Sequence, residues 1–465
     1  VIGDGVDSAN GYISSNRSGR SSSPAHFGIP QSLGNRYAND VLTAVEKRRA
    51  GSLVASFPRE KMPERWESYL MLSHYVTDAA SWQELSPQVR QAILQAVASG
   101  MDLRIITEAD AVAGLPVENA RLDGKDREIF HYGAGAISLY PGTFEEAVEK
   151  FKWGFGEDRS PFYTGSYSFK YKRANNFSNP VNDIEMAIER PKAPIALVFV
   201  GLLAFGIVVG PINLFVLAKG RQRYRVFFTT PVIALGFAAV IAGLIFFFDG
   251  TGGEGRISRL VIHEPLSHQD VIFQSQISRT GLILDSSFEL PAPAIVTPRG
   301  VKRRDEFIPQ GDYSIFANQR GGSFFSSRET QLMTLQTVVP SRADIELIPP
   351  ASPEEPPVLF SNIRADFPVI FYGDNAGNLW IGENLRTGQK ITLQPATREA
   401  FDQWLTENGG YLGATERRIL SHLSSNSHRN RYFATAENWQ DDPWQEPAFI
   451  DWNLHKQIFI GRPSR

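Results

Sequence analysis

Two long apolar runs without a charged residue constrain this chain more than any other feature of its sequence. The first extends from Ala193 to Ala218 and the second from Val226 to Phe248. An α-helix rises about 1.5 Å per residue, so either run can cross a bilayer hydrocarbon core about 30 Å thick. Core helices of soluble proteins rarely reach this length without a charge. The sequence therefore predicts a transmembrane hairpin over residues 193–248, with the lipid bilayer as a partner.

The segment between the two runs determines the predicted orientation. It is the heptapeptide KGRQRYR, whose basic residues are Lys219, Arg221, Arg223 and Arg225. Short basic loops stay on the cytoplasmic side of a membrane because positive charge resists translocation. We therefore expect a two-pass protein of the bacterial cytoplasmic (inner) membrane, with its N- and C-terminal domains in the periplasm.

Small residues recur at a spacing of four within both runs. Such spacing lets helix backbones approach closely, and we expect these residues to pack the two spans against each other, with an interface between copies of the chain as the alternative. A proline in each run is expected to kink its helix near the cytoplasmic end. Neither run contains an ionisable residue, which argues against an ion or proton pathway within the chain. The small residues are Gly206, Gly210, Ala239 and Gly243.

Composition excludes several classes of site. The chain has 465 residues and no cysteine, so it contains no disulfide, no Cys-ligated zinc, no iron–sulfur cluster and no thiolate nucleophile. Its 47 basic and 50 acidic residues nearly balance, and we predict no nucleic-acid partner. A cysteine-free chain suits an oxidising compartment. Because the sequence begins at Val1 without a signal peptide, export to the periplasm implies upstream residues that are cleaved or missing.

The region before the membrane combines a polar segment with an alternating pattern. Residues 1–36 are rich in Ser and Gly and are expected to be flexible. Residues 37–160 alternate between strand and helix patterns. Ser86–Gly100 predicts a helix with a Ser cap, a proline at its first position and a glycine stop, and Asp102–Thr107 predicts the following strand. A capping box at Thr143–Glu146 opens a further helix. Alternation of this kind predicts an α/β layer with a mainly parallel sheet.

The run PREKMPERWESYLMLSHYVTDAASWQELSPQVRQAILQAVASGMDLRII carries a family resemblance. It resembles the class I glutamine-amidotransferase-like domain of bacterial inner-membrane envelope proteins, and the similarity covers residues 50–250. Gly210–Asn213 resembles the GPxN segment that follows this domain in the family. The resemblance implies a flavodoxin-like topology. The matching positions are Pro63, Trp66, Tyr69, Trp82, Leu85 and Gly100.

The resemblance does not extend to the chemistry of an amidotransferase. Those enzymes use a cysteine with a histidine and an acid, and this chain has neither a cysteine nor a Gly-x-Ser-x-Gly replacement. His74 follows a serine, but neighbours in a strand point to opposite faces. His131–Gly135 predicts a tight turn, and the spacing of His263 and His268 does not suit a metal. We therefore predict no catalytic, cofactor-binding or metal-ligating residue.

After the membrane, alternation with period two dominates and predicts a β-rich, sandwich-like region. We divide it into a domain over 255–348 and a second subdomain over 358–465, joined by the Pro-rich stretch Pro349–Pro357. Gly373–Asn378 predicts a hairpin turn. On the other side of the membrane segment, residues 161–192 are expected to form a linker.

These features predict a non-catalytic, membrane-anchored subunit or scaffold of a larger bacterial envelope complex. Its expected partners, besides the bilayer, are other membrane or periplasmic protein subunits. One alternative is a periplasmic module that binds a small molecule or glycan at the C-terminal ends of its parallel strands. A second alternative is a hydrolase with an unrecognised nucleophile.

Overall fold

The computed structural model shows a parallel-sheet domain, a helical hairpin and a β-rich region. The predicted linker at 161–192 lies outside the residues that the structure describes, as do Lys219 and the side chain of Arg221. The described ranges are 26–46, 53–108, 112–116, 128–152, 195–217, 220–249, 252–283, 286–291, 294–299, 312–316, 319–323, 325–348, 355–426, 429–444 and 448–464.

A six-stranded sheet forms the centre of the first domain. Its spatial order is β2-β1-β3-β4-β6-β5, and all neighbouring pairs are parallel except β5 with β6. The predicted α/β layer with a mainly parallel sheet is thereby confirmed. The strands are β1 (His26–Pro30), β2 (Leu53–Phe57), β3 (His74–Asp78), β4 (Asp102–Thr107), β5 (Glu128–Tyr132) and β6 (Gly135–Pro141).

Local capping signals define the helices around this sheet. The Ser86 hydroxyl accepts a hydrogen bond from the Val89 amide, and Pro87 occupies the first helical position, as predicted. The Thr143 hydroxyl and the Glu146 carboxylate each accept from the other's backbone amide at 3.3 Å, which completes the predicted capping box. The helices are α1 (Gln31–Glu46), α2 (Ala79–Glu84), α3 (Pro87–Ala98) and α4 (Phe144–Lys152).

The strand β1 corrects the expected start of this domain. It lies within the segment 1–36 that we expected to be flexible, yet it pairs with β2 on one side and β3 on the other. Phe27 and Ile29 are fully buried, and a Cβ on Gly28 would stand 2.5 Å from a methyl of Leu72. Five residues beside a Ser-rich stretch are too few to show a periodicity. Pairing along both edges and burial of alternate side chains stabilise the strand instead.

The two apolar runs form helices that are long and apolar enough to cross a membrane. The first is α-helical over Ile195–Ile207, here α5, and continues as a π-helix over Val208–Leu217. The π-helical stretch contains Pro211, whose missing N–H breaks the regular hydrogen-bond ladder. A 3-10 turn at Gly220–Arg225 leads into α6 (Val226–Asp249).

Contact between the two spans does not run through the small residues that we expected to carry it. A Cβ at any of the three glycines would meet no atom within 4 Å, and the alanine is exposed. The spans touch instead through larger side chains, with the rings of Phe205 and Phe237 5.1 Å apart and edge-on. Each helix is rotated about its axis so that the small residues do not point at the other span. These residues are Gly206, Gly210, Ala239 and Gly243.

A nine-stranded sheet dominates the region after the hairpin. Its order is β10-β13-β8-β7-β21-β20-β16-β17-β19, and two three-stranded sheets, β11-β12-β9 and β14-β15-β18, accompany it. The strands are β7 (Gly253–Glu264), β8 (Gln269–Thr280), β9 (Ser287–Pro291), β10 (Ala294–Arg299), β11 (Asp312–Phe316), β12 (Gln319–Ser323), β13 (Thr330–Pro340), β14 (Ile345–Ile348), β15 (Val358–Ser361), β16 (Asp366–Gly373), β17 (Leu379–Leu385), β18 (Lys390–Thr392), β19 (Gln394–Ala396), β20 (Arg431–Glu437) and β21 (Ile450–Gly461), with helices α7 (Arg398–Gly409) and α8 (Ala414–Asn426).

The strands of the two expected subdomains, 255–348 and 358–465, belong to one main sheet. The last strand, β21, pairs in parallel with the first, β7, along eleven register positions that include Ile458 opposite Leu260. The sheet therefore consists of two contiguous blocks, with β10, β13, β8 and β7 from the first segment and β21, β20, β16, β17 and β19 from the second, and the two blocks meet at the β7–β21 pair. Most of the Pro-rich stretch, residues 349–354, lies outside the residues that the structure describes. The predicted hairpin turn between β16 and β17 is confirmed.

Each face of the nine-stranded sheet has its own core. One face carries Leu260 and Phe273, which belong to the same buried cluster as Val97 and Leu103 of the α/β domain. Helices α7 and α8 contribute to this cluster too. The opposite face packs against the smaller sheets, where Trp444 is buried. The α/β domain and the β-rich region therefore share one hydrophobic core.

Candidate functional site at the domain junction

The turn between β5 and β6 is the central backbone element of the junction. The Gly133 amide donates to Glu264 Oε1 across the junction at 2.8 Å. Gly133 has φ +59°, and a Cβ there would collide with the backbone of Ala98. Glycine is required for both the left-handed conformation and the close approach. The predicted tight turn at His131–Gly135 is confirmed, and it also holds the two domains together.

Three further hydrogen bonds cross the junction. Gln269 Nε2 donates to the Tyr132 hydroxyl at 2.8 Å, and Gln336 Nε2 donates to the Ser99 carbonyl at 3.1 Å. Arg462 donates to the His131 carbonyl at 2.8 Å. Satisfied polar groups in a buried interface favour one relative orientation because any other orientation leaves them unpaired. The junction is therefore a specific interface between the two domains.

A group of basic side chains surrounds this turn. The rings of His131 and His422 lie edge-on at 5.6 Å, and Arg431 and Arg462 are electrostatic neighbours of His131. Burial lowers the pKa of His131 to about 3, and the charge of Arg431 adds to that effect. Burial and then Arg431 also lower the pKa of His422. Both imidazoles are therefore neutral near pH 7, while the guanidinium groups keep their charge.

Arg431 is the most deeply buried member of this group, with 1% of its surface exposed. Burial lowers its pKa to about 9, followed by the charge of Arg462, and Glu264 acts in the opposite direction. Within the described residues, neither terminal nitrogen of Arg431 has a hydrogen-bond partner. The second carboxylate oxygen of Glu264 also lacks one.

His74 lies beside a buried ion pair rather than in a catalytic triad. Its Nδ1 lies 3.4 Å from Asp102 Oδ2, and Arg104 lies 3.4 Å from the same oxygen. The carboxylate of Asp78 accepts from the Ser81 amide at 2.7 Å and caps α2. His74 and Asp102 stand opposite each other on neighbouring strands, which brings them together. This arrangement neutralises charge at the start of two strands.

The two histidines of the β-rich region, His263 and His268, lie in different surroundings and do not form a common site. His263 Nδ1 lies 2.6 Å from Asp270 within the sheet. His268 has φ +49° and ends the short 3-10 turn Pro265–Ser267. Among the residues that the structure describes, no three His, Cys, Asp or Glu side chains are grouped to hold a metal ion.

An open cleft of about 290 Å³ also lies at the junction. Arg90 and Gln91 of α3 line one side, and Tyr132, Ser267 and Gln269 line the other. We expected any ligand site at the edge where the parallel strands end. Tyr132 pairs with the start of β6, so the cleft reaches the opposite edge of the sheet.

The residues that determine the predicted topology lie at the turn of the hairpin. Arg223 and Arg225 are exposed on the 3-10 turn. Sequence reasoning did not single out Glu264 or Arg431 as site residues. A weak signal exists for both, since Glu264 ends an apolar alternating run and Arg431 begins one.

Comparison with known proteins adds little to this geometry. No family model matches the chain, and no curated protein matches it. Part of the chain is similar to a solved structure, the yeast delta-COP-I mu-homology domain complexed with a Dsl1 WxWxV peptide. The identity is 11%, the match covers 46% of this chain and 96% of that one, and the TM-score is 0.20. A similarity at this level carries no argument about the fold or the function of the chain.

Proposed function

We propose that the chain is a non-catalytic, membrane-anchored subunit or scaffold of a larger bacterial envelope complex, with both large domains in the periplasm. The observation that supports it best is the junction between the domains. The α/β domain precedes the hairpin and the β-rich region follows it, yet the Gly133–Glu264 bond and a shared core join them. Domains that contact each other must lie on one side of a membrane, and two crossings return the chain to the side it left.

The basic turn supports the choice of side. Arg223 and Arg225 are exposed at the far end of the hairpin from the domains, and the heptapeptide around them contains no acid. Under the positive-inside rule, this turn faces the cytoplasm and the domains face outward. The inner membrane of a bacterium is the location that we propose.

The strand order supports a flavodoxin-like assignment of the first domain. When the antiparallel β5 is left aside, the order β2-β1-β3-β4-β6 corresponds to the 2-1-3-4-5 order of that fold. An amidotransferase-like domain without the nucleophilic cysteine would act by binding partner proteins at its surface rather than by catalysing a reaction. A domain pair held in one orientation can present such surfaces to several partners at once.

Purification of the native complex tests the proposal. The tagged full chain, extracted from its own membranes in a mild detergent, should migrate well above the 51.7 kDa monomer and bring the same partners in repeated preparations. Partners that contact both domains should no longer copurify with the Gly133→Ala variant. A lone monomer that hydrolyses an acyl or glycosyl substrate would overturn the proposal.

The cleft favours a second candidate, a module that binds a small molecule or glycan. Its lining combines the Arg90 guanidinium with the amides of Gln91 and Gln269 and with apolar walls. Sites of this kind fix a ligand through a few polar groups. A saturable thermal shift with one member of a glycan and metabolite panel, lost in Arg90→Gln, would support this candidate over a purely structural role.

A further inference from the structure

We propose that the junction binds a small oxyanion of the hydrogenphosphate type between Arg431 and Arg462. The acceptor oxygens of the anion would bond Arg431, and its remaining hydroxyl would donate to Glu264. Such a ligand would lie beside the bond between Glu264 and Gly133 of the α/β domain. The inference is independent of whether the chain is a scaffold.

The hydrogen bonding of Arg431 is incomplete within the described residues. A guanidinium has five N–H donors, and a buried charge is costly unless it is paired and hydrogen-bonded. Arg431 is 1% exposed, and within the described part of the chain its two terminal nitrogens bond nothing. A well-packed domain rarely leaves such a group without a partner. A bound anion would supply acceptors for these donors.

The charges around Arg431 also favour an anion. Arg462 lies close enough to Arg431 to oppose its protonation, and Glu264 is the carboxylate that offsets it. One of the two Glu264 oxygens is used by the Gly133 amide. Asp102 acts on His131 and His422, so the charged neighbours of Arg431 itself are Arg462 and Glu264. Two guanidinium groups near one carboxylate leave an excess of positive charge, which favours an anion. A water molecule could accept a hydrogen bond from Arg431 but would leave this charge in place.

Glu264 determines which type of anion suits the site. Glu264 Oε2 is buried without a donor in the described residues, so an anion without a proton would meet carboxylate repulsion there. Hydrogenphosphate offers oxygens that accept from Arg431 and a hydroxyl that donates to Glu264. Sulfate has the same shape and carries no proton near pH 7. Discrimination between the two anions should therefore depend on Glu264.

The side chains around the proposed site differ in their exposure to solvent. His131, His422 and Arg462 are only partly buried, in contrast to Arg431. The outer members of the cluster therefore contact solvent, whereas Arg431 has almost no exposed surface.

The test uses the full chain in detergent, with inorganic phosphate, sulfate and acetate as probes at constant ionic strength. Calorimetric titration and thermal unfolding near pH 7 should show saturable binding of phosphate and weaker binding of sulfate. Arg431→Met should abolish the response, and Arg462→Gln should weaken it about tenfold or more, as expected for loss of a charged hydrogen bond. Glu264→Gln should remove the preference for phosphate over sulfate.

Arg259→Gln is the matched control. Arg259 is also a buried arginine of the sheet, but it is bonded to Gln274 and Asp442. This variant should lose stability and keep the phosphate response. Absence of saturable binding of any of the three anions, or an unchanged response in Arg431→Met, would overturn the proposal. If Arg431→Met does not fold, the altered selectivity of Glu264→Gln and the weaker binding of Arg462→Gln decide the question.

Discussion

Asn213 of the first span accepts a hydrogen bond from the Thr229 hydroxyl of the second span at 2.6 Å. Its amide nitrogen donates to the Thr230 hydroxyl at 2.9 Å. Asn213 is fully buried, whereas most of the surrounding hairpin is exposed. Amide and hydroxyl groups bond across helices in an apolar environment because they have no other partners there. These two bonds hold the spans together next to the basic turn.

Replacement of Asn213 should weaken the hairpin measurably. We expect Asn213→Leu to destabilise the folded protein by about 1 kcal/mol, the usual size of an interhelical polar interaction in a membrane. Reversible unfolding in mixed micelles of detergent and SDS measures the change. Leu214→Ile, at an exposed neighbouring position, should leave the midpoint unchanged. Equal midpoints for Asn213→Leu and the unmodified chain would exclude a role for these bonds.

Two glycines with the same backbone requirement should differ in their tolerance of alanine. Gly133 and Gly388 have φ +59° and +74°, but a Cβ at Gly388 meets no atom within 4 Å. Gly388→Ala should therefore cost only the left-handed backbone strain, about 1–2 kcal/mol. Gly133→Ala adds a collision with Ala98 and should cost about 1–3 kcal/mol more. Urea unfolding compares the two variants, and similar losses would contradict the close approach at the junction.

The junction should make stability depend on pH in the acidic range. Burial lowers the pKa of His131 from 6.5 to about 3, so below pH 6.5 the unfolded chain binds a proton that the folded chain does not. Protonation then favours the unfolded state, and the free energy of unfolding should fall as pH drops from about 6.5 to about 3. The slope for one proton is at most about 1.4 kcal/mol per pH unit.

Urea unfolding between pH 4 and pH 7 measures this dependence. His131→Gln should flatten the curve while keeping the backbone carbonyl that accepts from Arg462. His422, whose pKa is also lowered, should account for part of the remaining slope. A curve that is equally steep in His131→Gln would assign the dependence to other groups.

The absence of native cysteine makes the proposed topology directly testable. Single cysteines at Tyr224 in the turn, at Gln88 in α3 and at Glu399 in α7 occupy exposed positions. An impermeant maleimide should label the Gln88→Cys and Glu399→Cys variants in intact spheroplasts. Tyr224→Cys should react only after the membrane is permeabilised. The reverse pattern would place both domains in the cytoplasm and exclude the periplasmic assignment.

Short-range signals account for the elements that the sequence predicted well. The cap of α3 depends on Ser86, Pro87 and a glycine stop within fifteen residues, and the capping box of α4 depends on two residues three apart. Where such signals were weak, the prediction failed. The strand His26–Pro30 lacks flanking signals, and only its pairing with two neighbours makes it a strand.

Contacts between distant parts of the chain could not be predicted in this way. Nothing local in Ile450–Gly461 indicates that it pairs with Gly253–Glu264, so the sequence did not predict that strands of the two expected subdomains join in one sheet. The same limit applies to the orientation of the spans. Small residues at the right spacing indicate a close approach, but the rotation of each helix decides whether they face each other.

The amino-acid sequence by itself determined the apolar hairpin, its basic turn and the loss of cysteine chemistry, because length, charge and composition are properties of the chain before it folds. Only the tertiary structure decided that Glu264 meets Gly133 and that Arg431, Arg462 and His131 converge. Their separation along the chain is large, and their proximity depends on how the two domains dock. The junction therefore arises from packing, which no local pattern encodes.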